Sequence, residues 1–542
     1  MNAALLILSA IVIFAIAYVF YGGYLAKKWG VDANRTTPAN EFKDDIDYFP
    51  AKPAVLLGHH FASIAGAGPI VGPIVAAAFG WLPVFLWIII GNIFFGSVHD
   101  FGSLYASIRH RGKTIGEVIN KNIGSFGKKL FNIFVWLALV LVLAVFMIVI
   151  AKTFAAVPSA ATASILFIIL AIAFGVVVNR TSVNFVAATV VGVIVLAVCV
   201  FIGMKYPLQL SKNTWIYVLM VYMFIASVTP VWILLQPRDY LNSFLLYAVL
   251  LGAVLGIIIS QPEINISAFT GFKTHLGYLF PVLFVVVACG AISGFHSIVA
   301  SGTTAKQLNK ETDAKLIGYG GMLIEGILAI VALITAAVLA KESLSELLEA
   351  GGPVKVFSTG VGNFMSSFGI PLEAGMSFTA LAVSAFAMTT LDTATRLGRL
   401  VFQELFEPQG SEDNASNNFS IISNMYVATT ITVVAAAGLT LSGQWSAIWP
   451  IFGSVNQLLA ALSLLAVSVW LANAGKSNNA TKIPMIFVFI VTIIALTQLI
   501  ISNFAAGNVL LGILGCLLLL LALVLIYQAY KTMSGIKNSV LK

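Results

Sequence analysis

Seven ionisable residues stand in stretches otherwise apolar enough to lie in a membrane: His59, His60, His99, Asp100, His296, Glu325 and Asp392. They include four of the chain's six histidines. A titratable side chain at membrane depth is costly, so each is a functional candidate. His59 and His60 share one apolar run. His99-Asp100 lies on the next, which returns antiparallel beside it, so the two pairs are expected at similar depth. Imidazole titrates near neutral pH, and a histidine–carboxylate cluster can take up and release a proton during transport. His59, His60, His99 and Asp100 are therefore the candidate proton-coupling set. The same four side chains make a plausible metal-ligand set, although adjacent histidines on a helix point about 100° apart and seldom ligate one ion together. Buried polar contacts between helices, worth about 0.6 kcal/mol each, are the third reading. Asp392 precedes Arg396 by four residues, a helical ion-pair spacing, and with Arg399 reads as structural. Glu325, on the Gly320-Gly321 helix, is left unassigned.

A second kind of signal is a broken helix. The apolar run Val55–Phe79 is long enough to span, yet its middle holds Gly66, Gly68, Pro69, Gly72 and Pro73. Proline removes a backbone donor and clashes with the preceding turn, and glycine weakens the helix around it. In hydrocarbon such a break survives only where it lines a cavity or is buried against protein. Ser227-Val228-Thr229-Pro230, inside Trp215–Leu235, predicts a second break. Paired broken helices running in opposite directions suggest a five-plus-five inverted repeat with a site at mid-membrane. Half-helix amides favour a substrate carboxylate there, and unwound carbonyls can hold a cation. Gly66, Ala67, Gly68, Pro69 and Gly72, with Ser227, Thr229 and Pro230, are the expected substrate-binding residues. Ser301 and Thr304 are three apart, are expected on one helix face, and could form a sodium site with the carbonyl of Ala65. Bonding of either hydroxyl back to its own helix is the competing reading.

The elements that must carry these residues are apolar spans. The chain of 542 residues is 60% hydrophobic and 9% charged, whereas about a quarter of a soluble domain is charged. Windows of about 20 apolar residues give about fifteen spans, beginning with Ala4–Tyr21, read as a first helix rather than a cleaved leader. The expected fold is an all-α polytopic membrane protein with a LeuT-like core. Residues 1–54 carry the first helix and a cytoplasmic loop, 55–405 the transport core, 406–420 a cytoplasmic linker and 421–542 the last helices. The Arg109–Lys129 loop has six cations against Glu117, so it should face the cytoplasm. That places the N-terminus outside and the C-terminus inside. The Lys341–Leu372 loop is then external, and its Gly351-Gly352-Pro353 suggests a cap. The net charge of +8 sits in short loops and follows the positive-inside pattern, which argues against nucleic-acid binding. Cys199, Cys289 and Cys516 are far apart, without metal or disulfide spacing. Nothing resembles a nucleotide-binding loop.

Several stretches resemble the carbon starvation protein A family of peptide and pyruvate transporters. They are GHHFASIAGAGPIVGPIVAA from Gly58, GSVHDFGSLYASIRHRGKTIGE from Gly96, QPRDYL from Gln236 and CGAISGFHSIVASGTTAKQL from Cys289. GYGGMLIEG from Gly318, LDTATRLGRL from Leu391 and WPIFGSVNQLLAAL from Trp449 complete the set. The resemblance implies a secondary transporter of the bacterial inner membrane, not an enzyme, grouped with LeuT-like proteins. His99 departs from the pattern, since many relatives carry glutamine there, which argues against a family-wide proton role for that position. The expected function is import of a small carboxylate-bearing nutrient, pyruvate or short peptides, coupled to a proton or sodium gradient. No cofactor is expected. A membrane-embedded metalloenzyme built on the histidine cluster is the alternative.

Overall fold

A computed structural model describes residues 2–44, 48–230, 233–406, 424–442 and 445–540. The linker expected at 406–420 therefore lies outside the described residues, apart from Phe406. In chain order the principal helices are α1 (Ala3–Trp29), α2 (Pro53–Ile64), α3 (Gly68–Phe79), α4 (Trp81–Arg109), α5 (Ile115–Ile123) and α6 (Ser125–Ala156). Next come α7 (Pro158–Arg180), α8 (Phe185–Lys205), α9 (Lys212–Val228), α10 (Leu235–Ser260), α11 (Leu279–Val286) and α12 (Gly294–Gly302). The last are α13 (Lys315–Ala337), α14 (Lys341–Ser366), α15 (Leu372–Leu405), α16 (Met425–Leu441), α17 (Trp445–Asn473), α18 (Asn479–Ala505) and α19 (Val509–Val540). The short strands Lys273–Thr274 and Gly277–Tyr278 pair antiparallel before α11.

Eleven of these helices are long and apolar enough to cross a membrane, or twelve if the bent pair α2–α3 counts as one span, against the fifteen crossings expected. α9 and α16 are apolar but shorter. The apolar stretch 278–305 is divided into α11 and α12. Burial sorts the helices into a core and a periphery. α6, α13 and α17 are almost wholly enclosed, whereas α8, α18 and α19 turn rows of Ile, Leu and Val outward, as lipid-facing helices must. α6 packs along α15 at the centre, with α9 and α16 each against both. α3 packs on α13 and α12 on α4, while α2 packs on α10 and α11 on α17.

The predicted break in Val55–Phe79 is present, as a bend of 49° between α2 and α3. Its chemistry is more specific than a proline kink. α2 ends at Ile64, Ala65 leaves the helical region (φ −77°, ψ 61°), and the Gly66 amide turns back to the Ile64 carbonyl at 2.8 Å. Pro69 then sits in the first turn of α3, where its missing N–H costs nothing.

The second break is not where the sequence pointed. Ser227-Val228-Thr229-Pro230 marks the end of α9, with Thr229 extended before the proline, and α10 restarts as an independent helix. The helix that unwinds in mid-run is α11–α12, over residues 287–293, which contain no proline. Its frayed ends are held from outside. Trp87 Nε1 donates to the Val287 carbonyl at 3.0 Å, Asn92 donates to Gly290 O at 3.2 Å, and the side chain of Gln457 donates to Phe284 O. Asn456 Oδ1 accepts from the Phe295 amide at 2.9 Å, capping α12 from a neighbouring helix. Every orphaned group so satisfied is one fewer that hydrocarbon would penalise.

Candidate functional site

The two unwound segments cross face to face. A Cβ placed on Gly68 would lie 2.4 Å from Cys289 Sγ, and one on Gly72 would lie 2.5 Å from the Val286 carbonyl oxygen. A Cβ on Gly290 would lie 2.7 Å from Ala329 Cβ of α13 and 3.8 Å from Pro69 Cα. At Gly72 backbone approaches backbone where a side chain would not fit, the use glycine has at a tight crossing. Gly66 closes the other side, against Phe146 of α6 and Thr390 of α15, whose hydroxyl donates to the Ser63 carbonyl at 3.3 Å.

Beneath the crossing lies a connected set of ionisable side chains, all buried. Asp100 of α4 is at its centre. Its Oδ1 is 2.7 Å from His99 Nδ1 and its Oδ2 is 2.8 Å from His296 Nδ1. The other ring nitrogen of His296 lies 3.4 Å from Glu325 Oε2 on α13. His296 belongs to α12, the second half of the other broken helix, and its ring ties that half-helix to both α4 and α13. A second group sits nearby. His59 Nδ1 is 3.2 Å from Asp239 Oδ2, Arg238 reaches Asp239 at 3.1 Å, and Arg238 also pairs with Asp392. Tyr222 donates to Asp392 Oδ2 at 2.6 Å. Polar side chains thereby link α4, α12 and α13 in the first group and α2, α9, α10 and α15 in the second.

A family model described as carbon starvation protein CstA matches residues 2–350 and 340–495. The chain belongs to the CstA family. Among its relatives, the peptide transporter CstA of Campylobacter jejuni is 32% identical over 91% of this chain and 79% of its own length. The peptide transporter CstA of Bacillus subtilis is 32% identical over 98% of this chain and 97% of its own. The pyruvate/proton symporter BtsT of Escherichia coli is 29% identical over 91% and 81%. The fold is similar to that of the manganese transporter of Eremococcus coleocola, with a TM-score of 0.54 at 10% identity, covering 90% of this chain and 99% of that one. These likenesses, with the apolar helices, make the chain a multi-pass membrane transporter.

Within this CstA-family fold the expected residues separate into those the structure gathers and those it does not. Gly66, Gly68, Pro69 and Gly72 meet at the crossing, and Ala67 is buried beside them with its carbonyl accepting from the Ile70 and Val71 amides. Ser227, Thr229 and Pro230 are elsewhere. The Ser227 hydroxyl faces Thr429, its carbonyl accepts from Arg399 at 2.7 Å, and Arg396 holds the Thr229 carbonyl. Pro230 is exposed. Their place opposite the first break is taken by Val286, Cys289 and Gly290, which sequence reasoning passed over because it followed proline rather than the glycine spacing at Gly290 and Gly294.

The four residues offered as a proton or metal set are likewise divided. His99 and Asp100 bond each other, His59 turns to Asp239, and His60 Nδ1 pairs with Thr304 Oγ1 at 2.9 Å. No three His, Cys, Asp or Glu among the described residues are grouped as a metal ion would need. The helix turns the two adjacent imidazoles to different neighbours, so the four side chains proposed as one metal-ligand set do not converge. His296 and Glu325, candidates given no role in the sequence reading, join Asp100 instead.

The sodium expectation required Ser301 and Thr304 on one helix face. α12 stops at Gly302, and Thr303 departs from helical geometry (φ −128°, ψ −52°). Ser301 Oγ donates to the Ser297 carbonyl at 2.7 Å and accepts from the Ile115 amide at 3.3 Å, while Thr304 serves His60. The two hydroxyls therefore point to different partners.

Proposed function

We propose that this chain is a proton-coupled importer of a small carboxylate-bearing nutrient, a short peptide or pyruvate, in the bacterial inner membrane. The observation that carries the reading is the Glu325–His296–Asp100 bridge beneath the crossing of two broken helices. A proton moving between the His296 imidazole and the carboxylates on either side of it changes which helices attract one another, at a depth where an unpaired charge is costly. Because His296 rides on α12 while Asp100 and Glu325 sit on α4 and α13, proton binding is coupled to the position of a half-helix at the substrate site.

The proposed architecture is the five-plus-five inverted repeat. α2–α3, α4, α6, α9 and α10 form the first half, and α11–α12, α13, α15, α16 and α17 the second. The packing supports this pairing: α3 on α13 is matched by α12 on α4, α2 on α10 by α11 on α17, and α6 on α9 by α15 on α16. α7 and α8 are an insertion in the first half. All fifteen apolar runs are proposed to cross, with the N-terminus outside and the C-terminus cytoplasmic. The names of the relatives support peptides and pyruvate as cargo and a proton as the driving ion.

The test is uptake of labelled dialanine and labelled pyruvate into proteoliposomes, with proton and sodium gradients imposed separately. Accumulation driven by the proton gradient supports the proposal. Accumulation driven by sodium alone, abolished by Ser301→Ala with Thr304→Ala, would replace the proton by sodium. Absence of accumulation under either gradient, from folded protein, would overturn import of these cargoes.

A further inference from the structure

Next to the crossing, on the side remote from the Arg109–Lys129 loop, the structure holds a cavity of about 950 Å³. Its floor is made by Val71 and Val75 of α3 with Val285 and Val286 of α11, the same two half-helices that meet at Gly72. The cavity is therefore bounded on that side by the crossing itself. Its walls are mostly apolar, but the lining includes one basic and one acidic side chain: Lys152 of α6 and Glu349 of α14. Both are exposed.

The two charges come from elements of different character. α6 is a long helix enclosed over most of its apolar length, and Lys152 stands near its C-terminal end. Glu349 stands beside the joint of α14, which is two helices merged across Gly352 (φ 71°, ψ −168°). Residues 349–354 of that joint line the cavity, and a Cβ on Gly352 would meet nothing within 4 Å. An ammonium near a helix end often only snorkels to the interface. Here it shares one apolar cavity with a carboxylate on a jointed element across from it, which a snorkelling lysine does not require.

We infer that this cavity is the outer capture site for a zwitterionic short peptide, with Lys152 taking its carboxylate and Glu349 its ammonium. The inference rests on the import reading and names the class of cargo at its entrance. Charge-assisted hydrogen bonds at the two ends fix orientation. The apolar walls between them accept different side chains without reading them, and the volume lies in the range of pockets that enclose whole small molecules, about 300–1,000 Å³. A three-carbon keto acid leaves most of that space empty and offers nothing to Glu349, whose charge repels it.

Proton-driven uptake of dialanine and of N-acetyl-dialanine in proteoliposomes tests this in Lys152→Gln and Glu349→Gln proteins. For dialanine each substitution should raise KM about tenfold, the loss of one charge-assisted bond, with Vmax little changed. For the acetylated peptide, which has no ammonium, only Lys152→Gln should raise KM. Unchanged KM for dialanine in both variants would overturn the capture site while leaving import intact. Uptake of pyruvate but not dialanine, unaffected by Glu349→Gln, would overturn the zwitterion and keep the importer. If wild-type protein transports neither, Lys152→Cys in a Cys516→Ser background is labelled from outside with an anionic, impermeant thiosulfonate. Labelling slowed by dialanine supports the site even then, and labelling indifferent to it overturns the site.

Discussion

Asp100 accepts from two imidazoles at once, so its charge is shared rather than assigned, and this decides what substitution should do. Asp100→Asn keeps the shape and removes the charge that His296 answers. Proton-driven accumulation should be lost, while exchange of labelled for unlabelled substrate across the same liposomes should persist. Glu325→Gln should behave likewise, and exchange lost together with accumulation would show these residues to be merely structural. Arg238 belongs to a different class. It pairs with Asp239 and Asp392 in a buried position, so Arg238→Ala leaves two carboxylates uncompensated. Breaking such a pair costs about 3–5 kcal/mol, and the variant should show a depressed unfolding temperature in detergent before any question of transport arises. His110, just beyond α4, gives a pH signature. Burial lowers its pKa from 6.5, the Ala106 carbonyl opposes that shift, and Lys121 adds to it. With the folded pKa below the unfolded one, its contribution is present above about pH 6.5 and is lost as pH falls through the folded value. The unfolding temperature should therefore drop on acidification below that pH, and His110→Gln should flatten the drop.

At the scale of elements, the crossing is held by contacts of two kinds that substitution can separate. Gly68 faces a side chain, the Cys289 thiol, whereas Gly72 faces backbone, the Val286 carbonyl. Gly68→Ala and Gly72→Ala should both impair uptake, since overpacking of this kind costs about 1–3 kcal/mol. Cys289→Gly should restore uptake to Gly68→Ala, because the obstructing side chain is then gone. No replacement at Val286 should rescue Gly72→Ala, because the obstruction is main chain. Rescue of both, or of neither, would contradict the face-to-face geometry. The unwound segment 287–293 depends on neighbours that bond its ends, so Trp87→Phe and Asn456→Ala should also reduce uptake, though neither residue touches the crossing glycines.

At the scale of the whole molecule, charge placement predicts sidedness. The loop carrying Arg109, Lys113 and Lys121 is tied down by Arg109–Glu311 at 2.5 Å and Lys128–Glu117 at 2.9 Å, and Glu311 also accepts from the Asp32 amide at 2.9 Å. These contacts draw loops from distant parts of the chain onto one face, the face expected to be cytoplasmic. α14, with Ser345 exposed, lies on the opposite one. An impermeant thiol reagent added to intact cells should label Ser345→Cys and spare Lys121→Cys, with labelling of Lys121→Cys only after permeabilisation. The reverse pattern would invert the proposed topology.

Hydropathy is a local property, so the apolar runs, their order and the family likeness could all be read from the chain alone. The first break was equally legible, because Gly66, Gly68 and Pro69 oppose a helix that runs continuously through them. The second break was not. Residues 287–293 unwind because Trp87, Asn92, Asn456 and Gln457 arrive from helices far away in sequence to bond what the helix gives up. The ionisable cluster divides the same way. That His59, His60, His99, Asp100, His296 and Glu325 are costly in a membrane follows from residue type and hydropathy. Which carboxylate answers which imidazole depends on how α2, α4, α10, α12 and α13 rotate against one another. A hydrogen bond is settled over a few ångströms in space, and apart from the adjacent His99 and Asp100 these partners are tens to hundreds of residues apart along the chain. Tertiary packing alone put Glu325 beside His296 and turned His59 towards Asp239.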